Sequence, residues 1–152
     1  MTRTLQILGA ILTVLLLVVA AAVVYLFHVG PQLDASSKAY VDTNVPLIVK
    51  TWSEEELWAR AAPEFKEAVT HEQLTGLFGK FSKTLGNLQR YEGSAGEATL
   101  GFILAKGKIV TARYKVNTEF ERGSAVLNVA LIQHDGQWQL LGLHVNSPLM
   151  LQ

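Results

Sequence analysis

Tyr114, Trp138 and His144 are the residues of this chain whose chemistry the hydrophobic pattern gathers on one surface. A phenol, an indole N–H and an imidazole can orient the polar groups of a ligand, and His144 alone among them accepts a proton near neutral pH. An acid–base isomerase or dehydratase needs a base opposed by a hydrogen-bond donor, commonly with a carboxylate as the base. The same surface carries Thr118 but no Asp or Glu, and Tyr91 adds only a second phenol. His144 therefore reads first as a hydrogen-bonded core histidine, and no catalytic residue is assigned.

Other chemistries find less support. The 4 histidines are dispersed: His28 at the end of an apolar run, His71 in a helix's first turn, His134 beside a turn and His144 along a strand. A zinc site needs three or four convergent ligands, so no metal is expected. Cys is absent, which removes disulfides and thiolate chemistry. Gly93, Gly96 and Gly101 are not followed by a helix and form no phosphate loop. No cofactor is expected. The 13 basic and 13 acidic residues balance without a basic block, which argues against nucleic acid.

The positions of these side chains follow from alternation. Val110, Ala112, Tyr114, Val116, Thr118 and Phe120 alternate with Thr111, Arg113, Lys115, Asn117 and Glu119, which predicts a strand over 108–121. Gly123-Ser124 and Asp135-Gly136 read as two-residue hairpin turns, with strands over 125–134 and 137–146. Weaker strands are expected over 99–105 and 88–92. The first turn then pairs Phe120 with Leu127, Thr118 with Val129 and Val116 with Leu131. The second pairs Leu127 with His144, Val129 with Gly142, Leu131 with Leu140 and Gln133 with Trp138. The shared apolar face should receive the helices. The other face is polar at Arg113, Lys115, Asn117 and Glu119 and apolar at Val126, Ala130, Ile132, Leu141, Leu143 and Val145. An exposed apolar margin of this kind marks an interface, so Ile132, Leu141, Leu143 and Val145 are the candidate contacts. Cover from the tail 147–152, through Leu149, Met150 and Leu151, is the competing expectation.

Helices precede the strands. Val41, Val45, Ile48 and Trp52 recur at helical spacing, with a kink or restart expected near Asn44 because of Pro46. Ser53 with Glu56, and Thr70 with Gln73, have capping-box spacing. The second box opens a helix with a buried stripe of Leu74, Leu77, Phe78, Phe81 and Leu85, ended by Gly86. Trp52 and Trp58 read as core anchors. Helices followed by an antiparallel meander give an α+β fold class.

Ahead of all this, residues 5–27 are apolar and uncharged. At helical rise they span roughly 34 Å, enough for a bilayer core. A cleaved signal peptide would end in small residues, and Ala20 and Ala22 are present. The apolar run nevertheless continues through Phe27, which favours a retained signal anchor. Gly30-Pro31 is expected to end the helix. Gly9 and Thr13 have small-xxx-small spacing, for which chance is the simpler account. Arg3 precedes the run and Asp34, Lys38 and Asp42 follow it, so the positive-inside bias keeps the N-terminus cytoplasmic. The expected organisation is a tail and anchor over 1–30 and one exported domain over 31–152.

The Val45-Pro46…Trp52 and Pro63-Glu64-Phe65 segments, Leu85-Gly86, the long strand ending Phe120-Glu121-Arg122-Gly123 and the closing Asp135-Gly136-Gln137-Trp138 hairpin carry a resemblance. The chain resembles small exported bacterial domains of unknown function with the nuclear-transport-factor-2-like (cystatin-like) cone, over roughly 35–147. More loosely, its single span resembles the bitopic assembly component of type IV secretion systems, whose soluble part is longer. The cone hosts enzymes, binders and assembly modules, so the resemblance implies a fold and not an activity. The expected protein is a non-enzymatic, single-pass protein of the bacterial inner membrane with a periplasmic interaction domain. Its partners would be the bilayer, through residues 5–27, and a second copy or another envelope protein. The alternative is a small-ligand binder, or an isomerase- or dehydratase-like enzyme, using a pocket lined by Tyr114, Trp138 and His144.

Overall fold

A computed structural model describes residues 2–105 and 107–150, with side chains from residue 6. Two compact units divide between Leu33 and Asp34. Helix α1 (Thr2–Val49) contributes to both.

In the first unit α1 is long and apolar enough to cross a membrane. Its most apolar stretch has a mean hydropathy of 3.1, and none of it is buried. The Thr13 hydroxyl donates to the Gly9 carbonyl and His28 Nδ1 bonds to the Val24 carbonyl, so both polar side chains are satisfied inside the helix. The expected end at Gly30-Pro31 does not occur, because α1 runs through it. A proline deletes one ladder bond, and the bonds on either side suffice to carry the helix onward.

In the second unit the last part of α1 is followed by α2 (Glu54–Arg60), α3 (Pro63–Ala68) and α4 (His71–Leu85). Four antiparallel strands come next: β1 (Leu88–Ile103), β2 (Gly107–Phe120), β3 (Gly123–His134) and β4 (Gln137–Asn146), in the order β1-β2-β3-β4. A 3-10 turn covers Pro148–Met150. This is the α+β arrangement of helices and meander that the pattern implies. No kink or restart separates Asn44 from Val49, since α1 continues past Pro46. Val41, Val45, Ile48 and Val49 are fully buried there, and their burial outweighs the missing N–H.

Local signals act as their chemistry requires, with two exceptions. Thr70 and Gln73 form the complete capping box. Ser53 accepts from the Glu56 N–H at 3.3 Å, but the Glu56 carboxylate turns to Arg60 and leaves its box half made. The α4 stripe buries Leu74, Phe78, Phe81 and Leu85, while Leu77 stays 45% exposed. Trp52 is the centre of the core. Its ring stacks on Phe120 at 5.1 Å, touches Phe78 and Phe81, and donates its N–H to the Gly86 carbonyl at 2.9 Å. Trp58 is only half-buried, against His71 at 3.7 Å and under Lys66.

The sheet register departs from expectation at two places. The first hairpin turns at Glu121-Arg122, because Phe120 pairs with Gly123. Arg122 fastens this turn to the end of α4 by bonds to the Ser82, Lys83 and Leu85 carbonyls, and Glu121 holds Asn87. Moving the turn by two residues shifts every pair by four, an even number, so no side chain changes face. Val116 now meets Leu127, Tyr114 meets Val129 and Thr118 meets Ala125. The second hairpin keeps the expected pairs Gln133–Trp138 and Leu131–Leu140, then takes a β-bulge. Beyond it Ala130 pairs with Gly142, Val129 with Leu143, Asn128 with His144 and Leu127 with Val145. One inserted residue, Leu141, reverses the faces of everything after it.

Candidate functional site

The bulge decides which residues can meet. His144 leaves the helix-facing side and is exposed on the other, with its Nε2 bonded to Asn146 Oδ1 at 3.0 Å. Tyr114 and Trp138 stay on the helix-facing side, where both are buried. The Tyr114 hydroxyl bonds to Ser37 Oγ at 2.8 Å and to the Asp34 carbonyl at 3.1 Å. The Trp138 N–H donates to Ser36 Oγ at 3.0 Å. The structure thus brings two of the three candidates to adjacent serines of α1 and sends the third to the opposite face. The helix-facing side is packed by Val45, Ile48, Leu127, Leu131 and Leu140, all close to fully buried. Trp138 also borders a shallow cleft with Tyr40, Asn44 and Arg60 at the sheet edge.

The same reversal divides the candidate contact residues. Ile132 pairs with Gln139 and is half-buried on the outer face, and Leu141 is the bulge residue. Leu143 is turned toward Val129 yet remains half-buried at the edge. Val145 is buried beside Leu127 and cannot be a surface contact. Among the described residues of the tail, Leu149 lies against Gly123, at the other end of β3 from Ile132, and Pro148 borders the outer face beside Val126. Leu151 and Gln152 fall outside the described residues.

A groove of about 610 Å³ crosses the outer face instead. Ala130 and Gly142, small residues on adjacent strands, lie in its floor, and Ala95 lines it from β1, beyond β2. A Cβ on Gly142 would touch that of Ala130 at 3.8 Å, so the two face each other across β3 and β4. Arg113 and Lys115 border one side, and neither makes an ion pair among the described residues. Phe65 and Ala68 of α3, with Val69 just after it, form the other wall with Leu141 and Leu143. The position of α3 has a clear origin. The Ala62 N–H donates to the Leu140 carbonyl at 2.8 Å and Ala61 bridges Leu140 in parallel, so the chain enters α3 along the β4 edge. Glu64 then meets His134 at 3.0 Å, an ion pair when the imidazole is protonated. Sequence periodicity assigned all helices to one face. It missed α3 because a six-residue helix carries no periodic stripe to orient it.

A second polar cluster joins α1 to β1. The Asp42 carboxylate accepts from Lys38 Nζ at 2.7 Å, the Tyr91 hydroxyl at 2.9 Å and the Ser94 N–H at 3.0 Å. Lys38 also donates to the Ser94 carbonyl at 2.7 Å. Partial burial pushes the Asp42 carboxyl upward, but the hydrogen bonds from Lys38, Ser94 and Tyr91 and the Lys38 charge outweigh it and hold the group below its ordinary value. Burial raises the Tyr91 phenol, and its bond to Asp42 and the Asp42 charge raise it further. A lowered carboxylate beside a raised phenol is the reverse of an acid–base pair tuned to neutrality. This cluster is a clamp across the register shift in β1 between Tyr91 and Ser94. The Lys38/Asp42 spacing on a helix is its one sequence signal.

Among the described residues no three His, Asp or Glu gather where they could hold a metal ion. A family model described as a protein of unknown function (DUF4019) matches residues 48–143, from the end of α1 to Leu143 of β4, and so takes in both walls of the groove. No curated protein and no solved structure matches the chain.

Proposed function

The chain belongs to the DUF4019 family of proteins of unknown function, and from that premise we propose that it is a single-pass membrane protein whose exported domain is non-enzymatic and binds a protein partner in the outer-face groove. The observation that carries this reading is the contrast between a filled helix-facing side and an open 610 Å³ groove on the other. A partner that fits is a segment with apolar side chains for the Phe65, Val69 and Leu141 wall and an acidic group for Arg113 and Lys115. A second copy of the chain and another envelope protein both remain within that chemistry. The order of helices and meander supports kinship with the nuclear-transport-factor-2-like cone. Trp138 borders a different cleft from the groove that Tyr114 and His144 line, and His144 stands on the opposite face of the sheet from Trp138, which speaks against the ligand-binding or isomerase reading.

The charge pattern around the apolar helix supports a cytoplasmic N-terminus, and in a bacterial inner membrane that orientation would put the domain in the periplasm. Because the chain has no Cys, single cysteines at Arg3 and Asp135 report sidedness. A membrane-impermeant maleimide added to spheroplasts should label Asp135→Cys and spare Arg3→Cys; the opposite pattern overturns the orientation. For the groove, a photo-crosslinking amino acid at Leu141 of the full chain in its membrane should give one discrete adduct, and Ala130→Phe, which fills the floor, should abolish it. An adduct pattern indifferent to Ala130→Phe would remove the groove from the reading.

A further inference from the structure

The β1–β2 hairpin outruns the rest of the sheet. The last β2–β3 pair at that end is Val110–Gln133, whereas β1 and β2 continue through Gly101–Ile109, Phe102–Lys108 and Ile103–Gly107. At the tip Phe102 is 75% exposed, Ile103 51% and Leu104 99%. A two-stranded ribbon to which no third strand pairs among the described residues gains nothing from such exposed side chains. Three adjacent large apolar side chains in water are also unlike the scattered single ones that surfaces normally carry.

The clamp shows which way this tip lies. Asp42 bonds to Tyr91 and Ser94, Lys38 to Ser94, and Asp34 accepts from the Ala98 N–H at 2.7 Å. Each step back along α1 toward Asp34 is thus a step forward along β1. Asp34 is where the chain enters this unit. Beyond Ala98, β1 carries Phe102 and Ile103 a further ~13 and ~17 Å at strand rise, in the same direction, with Leu104 following in the turn. Connectivity alone keeps Asp34 within about 25 Å of Phe27, the end of the apolar run, because only seven residue steps separate them. The reach of the tip is comparable to the length of that tether.

We propose that Phe102, Ile103 and Leu104 insert into the interfacial layer of the same membrane that holds the N-terminal helix, giving the domain a second attachment that fixes its attitude on the bilayer. This rests on the membrane-anchored reading above. The occupant is lipid, because the tether confines the tip to the membrane's vicinity and raises its effective concentration there. A hairpin tip too small to anchor a free protein suffices once a span supplies the proximity.

The test uses the full chain reconstituted in phosphatidylcholine–phosphatidylglycerol vesicles. An environment-sensitive fluorophore is placed on single cysteines replacing Leu104, Leu12 in the span, or Gln89, exposed near the start of β1. Lipids with a nitroxide near the headgroup act as quenchers. Labels at Leu104→Cys and Leu12→Cys should lose most of their emission, and the label at Gln89→Cys almost none. Adding Ile103→Asp should restore emission at Leu104→Cys while leaving Leu12→Cys quenched. Quenching at Leu12→Cys with Leu104→Cys as bright as Gln89→Cys overturns the insertion and leaves the anchor standing. No quenching at Leu12→Cys overturns both. A blue-shifted, unquenched Leu104→Cys that reverts on dilution of protein in lipid shows a protein contact and also overturns the proposal.

Discussion

The two faces of the four-stranded sheet are built for different purposes. On the helix-facing side Tyr114, Val116, Leu127, Val129, Leu131 and Leu140 are buried, and the polar groups there are bonded: Tyr114 to Ser37, Trp138 to Ser36, Thr118 to the Ala125 carbonyl. On the outer face Arg113, Lys115 and His144 are exposed, Asn128, Ala130 and Ile132 are half-buried, and one short helix covers only part of the surface. The first face binds the fold together through apolar area and saturated hydrogen bonds. The second leaves more of its surface exposed and buries fewer of its side chains. In a family of proteins of unknown function, the face the core does not need is the one to probe first.

Mutations should separate the faces by energy. Trp52→Ala empties the aromatic centre and removes the bond to Gly86, and should cost about 3–5 kcal/mol in chemical denaturation of the full chain. Leu127→Ala, on the same side, should cost about 2–5 kcal/mol. Tyr114→Phe keeps the ring and deletes the hydroxyl's bonds to Ser37 Oγ and the Asp34 carbonyl, which keep their bond to each other, for about 1 kcal/mol. Thr70→Ala removes the capping box of α4 for a similar loss of about 1 kcal/mol, which calibrates the scale with a site remote from either face. Ile132→Ala on the outer face should fall below about 1 kcal/mol while weakening crosslinking at Leu141. Equal losses at Leu127 and Ile132 would end the distinction between the faces.

The clamp adds a dependence on pH. The folded-state value of Asp42 lies below its unfolded value of about 3.8. Its contribution to stability is therefore present in full above that value and lost as pH falls through the lower, folded value. The difference in melting temperature between the native chain and Asp42→Asn should be constant from neutrality to mildly acidic pH and should shrink below about pH 4. A difference unchanged down to strongly acidic pH would show that the carboxylate charge does not stabilise the clamp.

Sequence pattern alone was enough for much of this. The apolar length of residues 5–27, the alternation from Val110 to Phe120, the Thr70–Gln73 box and the Asp135-Gly136 turn are local properties, carried by residues that favour one backbone state whatever surrounds them. They determine the candidate span, the α+β class and the face to which Tyr114 and Trp138 belong. Tertiary structure alone decided the rest. The first turn moved to Glu121-Arg122 because α4 offers carbonyls to Arg122. Leu77 stayed outside its stripe, and α3 crossed to the outer face because Ala61 and Ala62 add to the β4 edge. Above all, the insertion of Leu141 exchanged the places of His144 and Val145. A strand's period of two turns any single inserted residue into a reversal of every face beyond it, and nothing near Leu141 in the sequence signals an insertion that arises from pairing with β3.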